Sequence, residues 1–113
     1  MKLPRGAVVR IQLDPKVGHE QGGIRPCVVV TPSDLADAQR YPILAIVPLT
    51  SRIGLGPLYP VLQPYPQGLT LPSTALVDQV RSIDKQRVTA MFAPLPALEL
   101  GRVDDALRRV LGL

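Results

Sequence analysis

Polar and ionisable side chains lie directly beside apolar runs in three short segments of this 113-residue chain. The segments are residues 18–26 (GHEQGGIRP), 49–53 (LTSRI) and 77–87 (VDQVRSIDKQR). Each one adjoins a predicted strand, and loops that leave rigid strands often carry binding and catalytic groups. Together the segments supply an imidazole, carboxylates, guanidinium groups, amides and hydroxyls, which can transfer protons and bind phosphate.

Two of these side chains have a clear fit to an anionic ligand. Arg25 begins a predicted buried strand after a glycine-bearing loop, so its guanidinium could bind two phosphoryl oxygens at once. Thr50 follows another apolar strand, and its hydroxyl can donate a hydrogen bond to an oxygen. Each also has an ordinary structural interpretation, since most arginines lie at the surface and threonines are common in turns. His19 also has an ordinary structural interpretation, as a solvated side chain in a glycine-bearing loop.

Composition restricts the possible chemistry. One histidine and one cysteine exclude sites that need two imidazoles or a cysteine metal cluster, so no metal site is expected. Cys27 lies in an apolar run and is predicted to be a buried core residue. The net charge is +4, and arginines outnumber lysines ten to three, which favours bidentate phosphate recognition.

Chain length predicts one domain over residues 1–113, large enough for a hydrophobic core without disulfides. The longest nearly apolar stretch, Tyr41 to Leu49, is far below the roughly 20 residues of a membrane span. The first residues carry basic side chains but no apolar run of signal-peptide length. We therefore expect no membrane association and a cytoplasmic location.

Thirteen prolines argue against a helical bundle and favour short strands joined by turns. The patterns predict a half-buried strand over Gly6 to Leu13, a central strand over Pro26 to Thr31, an extended run from Tyr41 to Leu49, an edge strand over Tyr59 to Leu62, and a hairpin of Ser73 to Ile83 with Arg87 to Phe92. Ser33 could cap a minor helix that ends near Gln39. Pro96 to Leu111 has the spacing of an amphipathic helix, in which Asp104 and Asp105 face Arg108 and Arg109. The predicted fold is mainly β with α: one small, strongly bent antiparallel sheet or barrel and a C-terminal helix.

Four ordered blocks make the chain resemble a known family, the MazF/PemK/Kid toxins of bacterial toxin-antitoxin modules. The blocks are Arg5-Gly6 with Leu13-Asp14-Pro15, then residues 18–26, then Thr50-Ser51, and finally residues 78–87. They span nearly the whole chain, so the signal is far more specific than one short motif. The resemblance implies an SH3-like barrel that works as a homodimer.

The same resemblance implies an activity. It is that of a metal-independent, sequence-specific endoribonuclease that cuts single-stranded RNA by attack of the ribose 2′-OH and leaves 2′,3′-cyclic phosphate and 5′-OH ends. It implies no cofactor. It also implies a cognate antitoxin, and a basic RNA site would accept an acidic, extended antitoxin tail that blocks it.

Family residues carry over position by position. MazF-type members use the arginine and threonine that match Arg25 and Thr50, so these are the first catalytic candidates. Arginine is a poor proton acceptor, and we prefer His19 as the general base with Glu20 as its rival. Kid-type members use a histidine, an arginine and an aspartate, but Leu76 stands where that arginine would align. The predicted RNA contacts are Gln21, Gly22, Ser51, Arg52, Asp78, Gln79 and Arg81.

Two other functions remain open on the sequence. The related CcdB toxins share the barrel but poison DNA gyrase by binding, without cutting RNA. A plain nucleic-acid-binding module would show salt-dependent affinity and no turnover. In addition, Asp78 and Asp84 could simply pair with Arg81 and Arg87.

Overall fold

The computed structural model describes residues 2–113, which form one bent sheet of seven strands and two α-helices. The strands are β1 (Val8–Gln12), β2 (Ile24–Val29), β3 (Ile43–Thr50), β4 (Val61–Leu62), β5 (Ser73–Ala75), β6 (Arg81–Asp84) and β7 (Val88–Phe92). The helices are α1 (Ser33–Asp37) and α2 (Ala97–Leu111). The expected mainly β fold with a C-terminal helix is confirmed.

Strand β3 organises the sheet because it pairs along both of its edges. Strand β2 lies antiparallel on one side, while β5 and β6 pair with successive parts of the other side. The strand order across the sheet is β4-β5-β3-β2-β1-β7, and β6 pairs with β3 beside β5. Strands β6 and β7 therefore lie at opposite edges, and no ladder joins them within residues 2–113, so the sheet is strongly bent but not closed.

The predicted hairpin of Ser73 to Ile83 with Arg87 to Phe92 is wrong in two respects. Its first strand is interrupted by a 3-10 turn at Val77–Gln79, since β5 and β6 must reach different stretches of β3. Its second strand pairs with β1 instead of β6. The chain between them forms a second 3-10 turn at Lys85–Arg87, which carries it across to the other edge.

Two apolar clusters pack on the two faces of the sheet. One contains Val8 and the inner face of α2, and the other contains Val9. Consecutive residues of β1 therefore point into different clusters, and the prediction of a half-buried strand is wrong at Val8, which is buried. The cause is α2, which packs with Val8 in one cluster, while Arg10 on the same face of β1 stays exposed.

Helix α2 agrees with its predicted span to within one residue. Its Asp104 does not face Arg108; it forms an ion pair of 2.7 Å with Arg5, which ties the amino-terminal segment to the helix. Asp105 pairs with Arg108 at 2.9 Å instead. Neither helix is long and apolar enough to cross a membrane.

Helix α1 is short and is not capped as expected. Pro32 occupies the N-cap position. The Ser33 hydroxyl instead accepts a hydrogen bond from the Arg5 backbone N–H at 2.8 Å. The hydroxyl thus links two loops, which explains why a good capping residue leaves the helix end uncapped.

Candidate active site

Strands β2 and β3 bring Arg25 and Thr50 together. Their antiparallel ladder pairs Cys27 with Pro48, and the same register extended by two residues sets Arg25 across from Thr50. Both side chains line one polar groove of about 610 Å³. Two residues that are 25 positions apart in the sequence thus face a common space.

The guanidinium of Arg25 is anchored on one side only. Its Nε donates to the Gly22 carbonyl oxygen at 3.1 Å, and its two terminal nitrogen atoms have no hydrogen-bond partner in residues 2–113. The side chain is exposed at the groove. This geometry presents the outer edge of the guanidinium to an anion in the groove.

Thr50 ends β3, and the loop that follows it forms the opposite wall of the groove. Its Oγ1 accepts a hydrogen bond from the Arg52 backbone N–H at 3.3 Å. The hydroxyl proton remains available for donation to a ligand oxygen. Ser51 and Arg52 come next along this wall, and both are exposed.

The loop between β1 and β2 forms the remaining wall, and hydrogen bonds close its base. Leu13 N–H donates to the Gly23 carbonyl oxygen at 2.8 Å, and Gly23 N–H donates to Asp14 Oδ1 at 2.8 Å. Gly23 adopts a φ of 74°, a region that favours glycine, to make this closure. Gly22, a predicted RNA contact, lines the groove within the loop.

His19 and Glu20, the two candidate bases, lie in this loop, and both line the groove. One oxygen of Glu20 accepts a hydrogen bond from the Val17 backbone N–H at 2.8 Å, so the carboxylate helps to shape the loop. The His19 ring is exposed and has no hydrogen bond to any described residue. The imidazole is therefore free for proton transfer, whereas one oxygen of the Glu20 carboxylate is already hydrogen-bonded within the loop.

The other predicted contacts lie in an adjoining cleft of about 200 Å³, which Asp78, Gln79 and Arg81 line together with Glu20 and Gln21. Gln21 also lines the main groove and so connects the two. The Gln79 side chain is hydrogen-bonded to the loop between β1 and β2. Its Oε1 accepts a hydrogen bond from the Gln21 backbone N–H at 2.7 Å, and its Nε2 donates one to the His19 carbonyl oxygen at 3.3 Å.

Asp78 is also bonded within the protein, since its Oδ2 accepts a hydrogen bond from the Tyr59 hydroxyl at 2.5 Å. This bond is the main cause of the raised pKa of Tyr59. The alternative pairing of Asp78 with Arg81 and of Asp84 with Arg87 does not occur in the described part of the chain. Asp84 instead accepts from Gln86 N–H at 2.8 Å.

Sequence reasoning missed several residues that line the groove. Lys16 adds a cation, and Asp14, Gly18 and Gly23 complete the loop wall. These residues lie within or beside the segment 18–26 that the sequence analysis had singled out. Their closeness to that segment was the only signal in the sequence that could have found them. Among residues 2–113, no three His, Cys, Asp or Glu side chains are grouped so that they could hold a metal ion.

Comparison with known proteins adds the family. Residues 4–111 match the family model described as "PemK-like, MazF-like toxin of type II toxin-antitoxin system". The chain belongs to this toxin family. The resemblance carried by the four sequence blocks is confirmed.

Full-length relatives of this toxin family agree in length and fold. The chain is 34% identical over 115 residues to Endoribonuclease EndoA of Bacillus subtilis, covering 100% of this chain and 97% of the relative. It is 33% identical over 116 residues to Endoribonuclease MazF9 of Mycobacterium tuberculosis, covering 98% of each. A crystal structure of MazF from Deinococcus radiodurans superposes with a TM-score of 0.84 at 31% identity, covering 100% of this chain and 99% of that one. A MazE-MazF structure from the same organism gives a TM-score of 0.74 at 31% identity, with 97% and 96% covered.

Proposed function

We propose that this toxin is a metal-independent, sequence-specific endoribonuclease that cleaves single-stranded RNA. The observation that carries the proposal is the facing pair Arg25 and Thr50 in one polar groove. Membership of the toxin family and two full-length relatives named endoribonucleases support the same activity. The substrate would lie along the groove, with its scissile phosphate between the two side chains.

The reaction divides among a few groups. A base takes the proton of the ribose 2′-OH, the 2′-oxygen bonds to phosphorus, and the bond from phosphorus to the 5′-oxygen breaks as that oxygen gains a proton. The products are a 2′,3′-cyclic phosphate and a 5′-OH. Arg25 would bind two phosphoryl oxygens, and Thr50 would donate to one of them as charge builds up in the transition state.

His19 is our choice for the base because its ring is free, whereas Glu20 already accepts a hydrogen bond from Val17. The choice can be tested by the pH dependence of cleavage, since imidazoles change protonation between pH 5 and 8. His19→Ala should abolish the limb of the pH-rate profile near neutrality, while Glu20→Gln keeps it. An unchanged profile in His19→Ala would move the role to Glu20 or to another group.

RNA contacts would extend from the scissile phosphate in both directions along the polar surface. Gln21, Gly22, Ser51 and Arg52 line the main groove. Asp78, Gln79 and Arg81 line the adjoining cleft. Amides and hydroxyls of this kind can read the exposed edges of unstacked bases, while arginines bind phosphates.

A cognate antitoxin is the second partner in the proposal. The MazE-MazF structure of Deinococcus radiodurans contains such a pair, and this chain resembles its MazF over 97% of its length. An acidic, extended tail would occupy the groove beside Lys16, Arg25 and Arg52 and exclude RNA. Added antitoxin should suppress cleavage and compete with RNA; full activity with both bound would contradict this mode of inhibition. We also propose that the toxin works as a homodimer. We propose a cytoplasmic location, because a free, buried cysteine is compatible with a reducing compartment.

Cleavage of synthetic RNA in a chelator tests the activity directly. Purified toxin should cut single-stranded RNA in excess EDTA and spare an oligonucleotide whose ribose at the mapped cut site is 2′-deoxy. Arg25→Ala should lose most of the activity, whereas Arg40→Ala, which removes an exposed arginine outside the groove, should retain it. Dependence on Mg²⁺ or cleavage of the deoxy substrate would overturn the mechanism. Toxicity that survives Arg25→Ala would favour the CcdB-like alternative, a gyrase-binding toxin.

A further inference from the structure

A second pocket begins where the polar groove ends. Its volume is about 290 Å³, and Arg25, Thr50 and Ser51 line both it and the groove. The floor is apolar, formed by Leu49 and Leu69, which are buried in the cluster beneath α2. The two residues assigned to the scissile phosphate therefore lie at the boundary between a polar channel and an apolar pocket.

Arg10 and Phe92 form one side of this pocket. The guanidinium carbon of Arg10 lies 5.3 Å from the centre of the Phe92 ring, a cation-π distance. Arg10 is exposed, and its guanidinium has no hydrogen bond or ion pair with any described residue. A planar cation is thus held over an aromatic ring at the edge of the pocket, with the rest of its donors open to a ligand.

Leu71 also lines the pocket and is 62% exposed. The Ser73 hydroxyl donates a hydrogen bond to the Leu71 carbonyl oxygen at 3.1 Å, which helps to hold the backbone at this point. Thr70, also exposed, places a hydroxyl at the rim. An exposed leucine and a planar cation thus line the same pocket, which gives it both apolar and polar lining.

We infer that this pocket holds the base of one nucleotide that flanks the scissile phosphate. The inference rests on the proposed function, since it takes the phosphate to lie between Arg25 and Thr50. Unstacked bases of single-stranded RNA pack on aromatic rings, arginine planes and apolar side chains, and hydroxyls read their edges. Arg10, Leu71 and Thr70 supply these contacts, so the pocket is a determinant of which sequence is cut.

Oligonucleotides that lack one base test the pocket. After the cut site has been mapped, three RNAs are compared: the intact sequence and two versions with an abasic ribose on the 5′ or the 3′ side of the scissile phosphate. Affinity is measured on non-cleavable copies with a 2′-deoxy ribose at the cut site, and cleavage on the ribose forms. Removal of one of the two bases should weaken binding and slow cleavage about 10-fold, as expected for loss of one stacked base.

Variants of the pocket should remove this discrimination. Leu71→Ala and Arg10→Gln should each weaken binding of intact RNA several-fold and should bind the intact and the sensitive abasic RNA almost equally. Leu98→Ala and Arg40→Gln change an exposed leucine and an exposed arginine that lie outside the pocket, and they should keep the full difference.

Two results would overturn the pocket assignment: equal affinity of the natural toxin for all three oligonucleotides, or an undiminished abasic effect in both pocket variants. Either result would mean that the pocket does not bind a base of the RNA and that its ligand is another group, such as a side chain of the antitoxin. A toxin that discriminates against the abasic RNA in binding but cuts none of the RNAs would contradict the proposed nuclease while supporting the pocket.

Discussion

In the proposed mechanism, the anchoring of Arg25 lets a surface arginine act on a single phosphate. The Gly22 carbonyl oxygen binds Nε and leaves the other guanidinium nitrogen atoms facing the groove. Such a fork loses little conformational freedom when it binds two oxygens, whereas a lysine offers a mobile point charge. A lysine at this position would keep the charge, but its single ammonium group could not bind the Gly22 carbonyl oxygen and also present a planar pair of donors to the groove. The geometry therefore favours arginine.

Cys27 shows how strongly the strand behind the site is desolvated. Burial raises the pKa of its thiol from 9.0 to about 12, with the nearby Arg81 opposing the shift. Because the folded state holds the neutral thiol and the unfolded chain ionises above about pH 9, the free energy of unfolding should fall as pH rises from 9 toward 12.

Denaturant unfolding between pH 8 and 11 measures this effect. The natural toxin should lose more stability over this range than Cys27→Ala, which lacks the thiol but shares every other titrating group. The thiol should also resist alkylation at pH 8 until the chain unfolds. Parallel pH curves for the two proteins, or rapid alkylation of the folded toxin, would contradict the burial.

At the scale of elements, the 3-10 turn Val77–Gln79 links the two loops that border the groove. Gln79 binds main-chain groups of His19 and Gln21 in one loop, and Asp78 binds the Tyr59 hydroxyl at the end of the other. The turn is itself fixed, because Val77 is buried beneath α2. Through this turn, the C-terminal helix supports the position of the two loops that border the groove.

Gln79→Met should release the loop between β1 and β2. It removes both hydrogen bonds to the loop, so the Gln21 amide should exchange its hydrogen faster and cleavage should slow about 10-fold or more as His19 loses its position. The matched variant Gln39→Met changes an exposed glutamine remote from the groove and should have neither effect. Slower cleavage with unchanged exchange at Gln21 would instead make Gln79 a direct RNA contact, as the sequence predicted.

The sequence predicted elements whose signals are local and missed contacts that depend on the sheet as a whole. Helix α2 has a regular apolar spacing, and its span was predicted closely. The route of β6 and β7 to opposite edges was missed because residues 84–86 have the composition of a hairpin turn. Similarly, motifs found Arg25 and Thr50, but Arg10 and Phe92 meet only through the pairing of β1 with β7. No local pattern marks such a pair.

At the scale of the whole molecule, the charge distribution predicts how RNA binding should depend on salt. The net charge is +4, and the groove is lined by Lys16, Arg25 and Arg52 together with the carboxylates of Asp14 and Glu20. The adjoining cleft is lined by Arg81 together with Glu20 and Asp78. Asp104 on α2, by contrast, forms an ion pair with Arg5 of the amino-terminal segment. RNA affinity should therefore depend on the release of counterions from a few phosphates bound by these cations.

Salt titration of RNA binding gives the number of phosphates. For three to four phosphate contacts, the logarithm of the affinity should fall with the logarithm of salt concentration at a slope of about −2 to −3. Arg52→Ala should make the slope shallower by about 0.7, while Arg40→Ala should leave it unchanged. A slope near zero would mean that phosphate contacts do not drive binding.

The most direct test of the proposed catalytic pair, Arg25 and Thr50, is a double-mutant cycle in single-turnover cleavage of a mapped RNA. Arg25→Ala and Thr50→Val should each lower the rate, Arg25→Ala by about 10²- to 10³-fold, as for removal of one transition-state donor. Because both groups act on one phosphate, the double variant should lose less than the product of the two single losses. Unimpaired cleavage by Arg25→Ala, or losses that simply multiply, would contradict a joint action of Arg25 and Thr50 on the scissile phosphate.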